Sequence, residues 1–406
     1  MTDSYQLAAL QLLAIITGPA YMGQPQVLPY IIFKLVNLSL EYGHSVLAGY
    51  AYGMYSLLLC GPLNEIEMGY HSGLLSLQLL EEFHAQEFTC KIHLLFNMIR
   101  HWKEPAKNCL AFSEAIQKGL EIGDIVYASY CSMWFAAYLF FMGEPLDEVG
   151  TQQGYYAALM QKYKQDYSFY PIAIWRQLTL NLQGRAENAL FLTGESFNED
   201  LMPQLRRLEN RMVLFFAYLA KLILLYTMGD DKAVVQYADL AANYEDAAPA
   251  TMLVSGYRFY DSLARLALYT EASTSERETI LDKVTINSNK MREWADRAPT
   301  NYQHKYDLVE AEKAGYLARN WEASELYDRA IAGAKANQYL QEEALANELA
   351  AKFYLNWGKE KIAQTYMVEA YYCYARWGAK AKTPKPQNPK TPKPQEIVLI
   401  LKSCKC

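Results

Sequence analysis

The chain has 406 residues, of which 52% are hydrophobic, and a formal net charge of −6 at pH 7. This hydrophobic fraction is typical of a folded protein rather than a disordered one, and the acidic balance argues against a nucleic-acid partner, which would need a basic face. Seven cysteines without framework spacing, and no signal peptide, predict a reduced, cytoplasmic protein.

A sequence repeat of about 40 residues begins in the first third of the chain. A Leu-Glu pair occurs at residues 40–41, 80–81 and 120–121. Residues 39–51 and 119–131 also share Leu, Glu, Gly, Val, Ala and Tyr at equivalent places. A fixed period of this size is typical of a supersecondary unit that buries its apolar face only by stacking on neighbouring copies.

The first predicted helix, over residues 5–16, is strongly apolar. A terminal repeat that faces water needs a polar outer face, so two explanations stay open. Either the next repeat buries this helix, or a domain N-terminal to residue 1 covers it. Substituting Leu10 and Leu13 with glutamate separates the two, because it improves solubility in the second case and destabilises the array in the first.

Apolar residues at helical spacing continue through the middle of the chain, interrupted by turns such as Gly229-Asp230. There the glycine is expected to adopt the left-handed conformation after one helix, and the aspartate to cap the next. Residues 212–228, just before this turn, are long and apolar. Because Lys221 lies in their centre, they predict a buried helix rather than a membrane span.

The later helices show the spacing of tetratricopeptide repeats, in which a small residue is followed four positions later by a large one and then by another small one. This pattern predicts an all-α fold, a tetratricopeptide-like α-solenoid of antiparallel helix pairs over residues 1–382. The residues expected to pack between helices are Ala323, Tyr327, Ala330, Ala363, Met367 and Ala370, with Ala233 and Tyr237 as less complete matches.

The end of the chain has a different composition. Residues 383–395 alternate proline and lysine, which favours an extended chain without a packed core. Residues 383–406 are therefore predicted to be a disordered tail. Cys404 and Cys406 near its end form at most a weak thiol pair.

Two Glu-x-x-His motifs are the candidates for a metal site, namely Glu41 with His44 and Glu81 with His84. Such motifs on facing helices form di-iron carboxylate sites. The third copy of the repeat carries Asp124 in place of the histidine, so repeat equivalence is the simpler explanation. The prediction is no metal and no cofactor, with a di-iron protein as the alternative.

No nucleotide-binding or kinase motif occurs in the chain. The only Gly-Lys pair, Gly358-Lys359, is followed by Glu360 instead of the Ser or Thr of a phosphate-binding loop. His304 has no adjacent catalytic domain and is expected to be a partly exposed surface residue. The chain is therefore predicted not to be an enzyme.

Tyrosine is unusually frequent, with 33 in the chain. Aromatic concave surfaces bind peptides and partner helices, because flat amphipathic rings supply large contact areas. Most of the tyrosines are expected to pack between helices, and a minority to line a groove for a protein partner or a small ligand. The groove candidates are Tyr50, Tyr130, Tyr371 and Tyr374.

Three long segments also resemble a known family: residues 23–61 (GQPQVLPYIIFKLVNLSLEYGHSVLAGYAYGMYSLLLCG), 99–110 (IRHWKEPAKNCL) and 355–382 (LNWGKEKIAQTYMVEAYYCYARWGAKAK). They are similar to the helical repeat region of very large signalling proteins best known from cyanobacteria. Those proteins combine a serine/threonine kinase, an AAA-type ATPase, this repeat region, a GAF sensor and a histidine kinase. The resemblance covers about residues 5–382 and implies a repeat region without the flanking catalytic domains.

The resemblance implies a non-catalytic module that passes signals between kinase or ATPase and sensor domains, as a partner or as a split or truncated part of such a protein. No catalytic residue of the family carries over, because the motifs that hold them are absent from this sequence. A free-standing adaptor is a further alternative. No membrane association is expected.

Overall fold

A computed structural model describes residues 1, 3–229 and 231–383, apart from the side chains of residues 22, 231 and 232. The predicted tail, except for Thr383, lies outside the described residues, as does the predicted cap Asp230.

The described part of the chain is built from α-helices and short 3-10 turns, and its single β feature is an isolated antiparallel bridge between Thr193 and Asn198. The prediction of an all-α fold is confirmed. The α-helices are α1 Ser4–Gly23, α2 Leu28–Tyr42, α3 Ala48–Cys60, α4 Ile66–Glu82, α5 Thr89–Ile99, α6 Phe112–Ile122, α7 Ile125–Phe141, α8 Leu146–Lys162, α9 Asp166–Leu182, α10 Met202–Arg207, α11 Arg211–Met228, α12 Asp231–Ala242, α13 Met252–Ala267, α14 Thr274–Arg297, α15 Pro299–Tyr316, α16 Asn320–Ala336, α17 Leu340–Asn356 and α18 Glu360–Trp377.

The chain divides into two compact units. Unit 1 contains Met1–Phe135, Lys162–Ser168 and Ala248–Met252. Unit 2 contains the described residues of 136–161, 169–247 and 253–383. Helices that follow each other in sequence pack together within each unit, as α3 does on α4 in unit 1 and α15 on α16, α16 on α17, and α17 on α18 in unit 2.

The repeated Leu-Glu pairs mark equivalent places in the fold, because each lies near the end of a helix: α2, α4 and α6. A residue in the positive-φ region follows each pair, namely Gly43, His84 and Gly123. At Gly123 the backbone is left-handed (φ 81°), and the N–H of Asp124 donates to the carbonyl of Gly119 at 2.8 Å. This hydrogen bond satisfies one of the carbonyl groups that the end of a helix leaves free.

Helix α1 packs with one face only. Leu10 is fully buried and belongs to a core cluster of unit 1 that includes Leu35 and Leu79. Leu13 is partly buried against the same cluster. Other apolar residues of α1 face away from this cluster: Leu12 is 65% exposed and Ile15 is 70% exposed. The idea that Leu10 and Leu13 face a missing neighbour is therefore wrong, since both pack inward.

Helix α11 is a core helix of unit 2. In the described part of the chain it is the only helix both long and apolar enough to cross a membrane, but 83% of that stretch is buried inside the protein. The side chain of Asn210 caps its start by accepting from the Val213 N–H. Gly229 ends it with φ 81°. The predicted left-handed glycine is confirmed.

The residues expected between helices have the following positions. Ala323, Tyr327 and Ala330 of α16 and Ala363, Met367 and Ala370 of α18 are all buried. Ala233 and Tyr237 of α12 are only partly buried. The Tyr327 ring lies 5.2 Å from that of Phe353 on α17 (ring centroids), so this large residue occupies the space between α16 and the next helix.

Candidate ligand-binding pocket

Unit 2 contains a cavity of about 500 Å³ between the ends of α11, α13 and α15 and the facing sides of α16 and α17. Its volume falls in the range of about 300–1,000 Å³ that small-molecule sites occupy. The wall is rich in aromatic side chains and includes two carboxylates, Glu312 and Glu348. The aromatic lining residues are Tyr226, Tyr316, Tyr327, Phe353 and Trp357.

Glu312 on α15 is the carboxyl group of this wall that forms no ion pair with a described residue. It is 7% exposed, and it accepts a hydrogen bond from the hydroxyl of Tyr327 on α16. Among the described residues no lysine, arginine or histidine forms an ion pair with it. Burial raises the pKa of Glu312 to about 7, although the Tyr327 hydrogen bond and the charge of Lys352 act in the opposite direction. The carboxyl group therefore exchanges its proton near neutral pH.

Glu348 on α17, in contrast, forms ion pairs with two lysines. Its carboxylate accepts from the Tyr374 hydroxyl at 2.7 Å and pairs with Lys352 at 3.0 Å and Lys382 at 2.9 Å. Burial alone would raise the pKa of Glu348, but the two lysines and the hydrogen bonds from Lys382 and Tyr374 outweigh it and hold the pKa well below its usual range. Glu348 is therefore an ionised, fully paired group in the wall.

A second buried polar cluster joins α15 to α17. The Glu342 carboxylate accepts from Lys305 Nζ at 2.6 Å and is hydrogen-bonded to His304 Nε2. Burial and the neighbouring Lys305 lower the pKa of His304, which favours its neutral form. His304 is only 2% exposed. The expectation of a partly exposed surface histidine is wrong, because this side chain is a hydrogen-bonded part of the interhelix packing.

The lysine in the apolar helix α11 also has partners. Lys221 Nζ donates to Glu199 at 2.8 Å and to the carbonyl of Leu190 at 2.7 Å, and it lies 4.7 Å from the centre of the Phe191 ring. Lys221 and Glu199, with Tyr237, border a smaller cavity of about 300 Å³. The charge is compensated locally, which makes this cavity a weaker candidate for a charged ligand than the one at Glu312.

The structure does not assemble the predicted metal ligands. Glu41 and Glu81 lie in the last turns of α2 and α4, whereas His44 and His84 follow those helices. His44 Nε2 lies 3.3 Å from the Tyr52 hydroxyl instead. The described residues contain no group of three or more His, Cys, Asp or Glu side chains able to hold a metal ion. The di-iron alternative is therefore wrong, because each helix ends between its glutamate and its histidine.

The four groove tyrosines fall into different environments. Tyr50 and Tyr130 belong to unit 1, and Tyr371 and Tyr374 to unit 2. Tyr50 is 3% exposed and its hydroxyl lies 3.4 Å from that of Tyr127. Tyr374 is 4% exposed and bonds Glu348. These two are core residues that offer no surface to a partner, whereas Tyr130 and Tyr371 are partly exposed.

The pair Gly358-Lys359 lies in the turn between α17 and α18. Gly358 is left-handed, with φ 77°, and the Lys359 ammonium group lies 5.5 Å from the centre of the Trp357 ring. Helix α18 begins with Glu360. An acidic residue at this helix start opposes phosphate binding, since it places negative charge where a phosphate would need to lie.

Sequence reasoning missed the acidic pocket residues. Glu312 and Glu348 lie in alanine-rich helical segments whose charged residues read as solvent-facing. The packing of α17 explains the burial of its acids. This helix is flanked by α16 and α18 and also packs on α15, so even its charged positions Glu342, Glu343 and Glu348 are buried. The repeat pattern predicts such a central helix, but it does not show which acids face a cavity.

No protein-family model matches the chain. Over 45 residues it is 44% identical to the hybrid signal transduction histidine kinase G of Dictyostelium discoideum. That match covers 11% of this chain and 1% of the relative.

Proposed function

We propose that the chain is a non-catalytic helical-repeat signalling module that connects or regulates a serine/threonine kinase or ATPase and a sensor or histidine kinase. The observation that carries this proposal is the combination of an all-helical fold with a local match to a hybrid signal transduction histidine kinase. The module works in the cytoplasm by binding a protein partner or a small ligand.

The finer architecture we propose is a tetratricopeptide-like solenoid with a period of about 40 residues. The helix starts support it, because α15 and α17 begin at Pro299 and Leu340, and α16 and α18 at Asn320 and Glu360. The contact of α15 with α17 supports it as well, since in stacked hairpins the first helices of successive repeats touch.

The absence of catalytic function belongs to the proposal. Gly358-Lys359 occupies a turn without the residues of a phosphate-binding loop. The buried ionisable clusters at Glu342 and Glu348 are paired internally. Such pairing engages these groups in the packing of the helices.

Affinity capture tests the proposed role. The full chain is immobilised and exposed to lysate of its native source, and the retained proteins are identified by mass spectrometry. We expect proteins that carry serine/threonine kinase, ATPase, GAF or histidine kinase domains. A reproducible set of partners without any of these domains would instead favour a free-standing adaptor, and retention equal to that of an empty matrix would contradict both roles.

A further inference from the structure

We propose that the cavity beside Glu312 binds a small organic cation, whose ammonium group lies between the Glu312 carboxylate and the aromatic side chains of the wall. The role of such a ligand in signalling rests on the proposed function. The argument that the cavity binds a cation rests on the cavity alone.

The charge of the wall selects for a cation. Glu348 pairs with Lys352 at 3.0 Å and with Lys382 at 2.9 Å, so the ammonium group of Lys352 in the wall is already engaged by a carboxylate. Glu312 has only the neutral hydroxyl of Tyr327 as its hydrogen-bond partner among the described residues. A buried carboxylate without an ion-pair partner costs free energy, and a bound cation lowers that cost. An anion would meet the same carboxylate as a repulsive charge.

The aromatic lining selects for an organic cation. Tyr226, Tyr316, Tyr327, Phe353 and Trp357 all border the cavity. Aromatic faces attract ammonium groups, and this attraction is strongest where water is excluded. A hard metal ion would need several oxygen ligands, whereas no group of three or more possible metal ligands occurs in the described chain.

Binding is coupled to a proton. The other ionisable groups that line the cavity are Tyr226, Tyr316, Tyr327, Glu348 and Lys352. Of these groups Glu348 stays ionised, because its pKa is held low, and the pKa of Tyr327 is raised by burial and by Glu312. Burial raises the pKa of Glu312 to about 7, so this carboxyl group titrates near neutral pH. A cation stabilises its charged form, so binding releases the proton and strengthens as the pH rises.

The test uses two matched pairs of probes and the full chain. Phenethylammonium is compared with neutral 2-phenylethanol, and choline with neutral 3,3-dimethylbutan-1-ol, by isothermal titration calorimetry from pH 6 to pH 8. We expect at least one cation to bind more tightly than its neutral match. Its Kd should fall about tenfold from pH 6 to pH 8, with about half a proton released per ligand at pH 7. Neutral probes that bind as tightly as both cations would overturn the proposal.

Variants separate the pocket from unspecific binding. Glu312→Gln should weaken cation binding at pH 8 at least tenfold and abolish its pH dependence. Glu325→Gln removes the same charge from an exposed position on the neighbouring helix α16 and should leave both unchanged. Equal effects of the two variants would contradict the site.

A third variant keeps the carboxylate and serves if Glu312→Gln fails to fold. Tyr327→Phe removes the hydrogen bond that lowers the pKa of Glu312, so the midpoint of the pH dependence should move to higher pH. An unchanged midpoint would count against Glu312 as the ligand group. Cation binding on the isolated chain and capture of kinase-domain proteins are independent measurements, so either can fail without the other.

Discussion

At the scale of single residues, the buried charges of unit 2 are the features that the sequence conceals. The small and large residues between helices follow a fixed spacing, and Ala323, Tyr327 and Ala330 were therefore predictable as packing positions. Whether a glutamate on a helix is buried depends on which helices cover it, and one sequence does not contain this information. Glu312 and His304 are examples, since both lie in stretches that favour helix and both read as surface residues.

The raised pKa of Glu312 makes stability depend on pH. Its pKa in the folded chain, about 7, lies above the unfolded value of about 4.3. The folded chain therefore binds this proton more tightly, and stability falls as the pH rises between these two values. Glu312→Gln should remove the penalty and raise the free energy of unfolding at pH 8 by about 3 kcal/mol, with a gain of only about 1 kcal/mol at pH 5.

Thermal unfolding at pH 5 and pH 8 measures this effect. Glu325→Gln is the control, because the same substitution at an exposed position should change neither midpoint by more than about the equivalent of 0.5 kcal/mol. A gain for Glu312→Gln that is the same at both pH values would show that Glu312 does not titrate in this range.

At the scale of helices, periodicity predicted which segments are helical and where several of them end. The Leu-Glu repeat lies near the ends of α2, α4 and α6. Each pair is followed by a residue with positive φ, such as Gly123, and such a residue is typical of a helix end. The orientation of α1 could not be predicted, since nearly every face of that segment is apolar. Only the packing shows that Leu10 points inward and Leu12 outward.

Helix α1 offers a matched pair of substitutions. Leu10→Glu buries a carboxylate without a partner inside a core cluster and should lower the free energy of unfolding by about 3 kcal/mol or more. Leu12→Glu places the same group on a side chain that is 65% exposed, so its effect should stay within about 0.5 kcal/mol. Urea unfolding followed by circular dichroism compares them, and similar losses in both variants would contradict this orientation of α1.

Helix α18 tests the packing role of the small residues. Ala363 is fully buried, whereas Ala375 on the same helix is exposed. Ala363→Leu overfills a closely packed contact and should cost about 1–3 kcal/mol, seen as a lower melting temperature. Ala375→Leu is expected to be nearly neutral, because leucine and alanine have similar helix propensities. If Ala363→Leu proves as well tolerated as Ala375→Leu, α18 does not pack through its small residues.

At the scale of the whole molecule, composition and periodicity were sufficient for the fold class, because helical spacing runs through most of the chain and strand alternation does not. The candidate site was not predictable in the same way. It is formed by α11, α13, α15, α16 and α17, which lie up to about 130 residues apart in sequence, and no local motif links them. The abundance of tyrosine likewise does not show where each tyrosine lies. Tyr50 and Tyr374 were groove candidates, but both are core residues.

The proposed absence of a nucleotide site concerns the whole chain, and hydrolysis of ATP tests it. The only Gly-Lys pair lies in a short turn, where Lys359 is exposed and close to the Trp357 ring and Glu360 opens the next helix. The backbone amides of Gly358 and Lys359 donate to carbonyls of α17, and the acidic residue opposes a phosphate. The purified chain should release no phosphate from ATP above the rate of a buffer blank, and Lys359→Ala should behave identically. Turnover that survives repurification and disappears in Lys359→Ala would instead make this turn a catalytic site and refute the non-catalytic role.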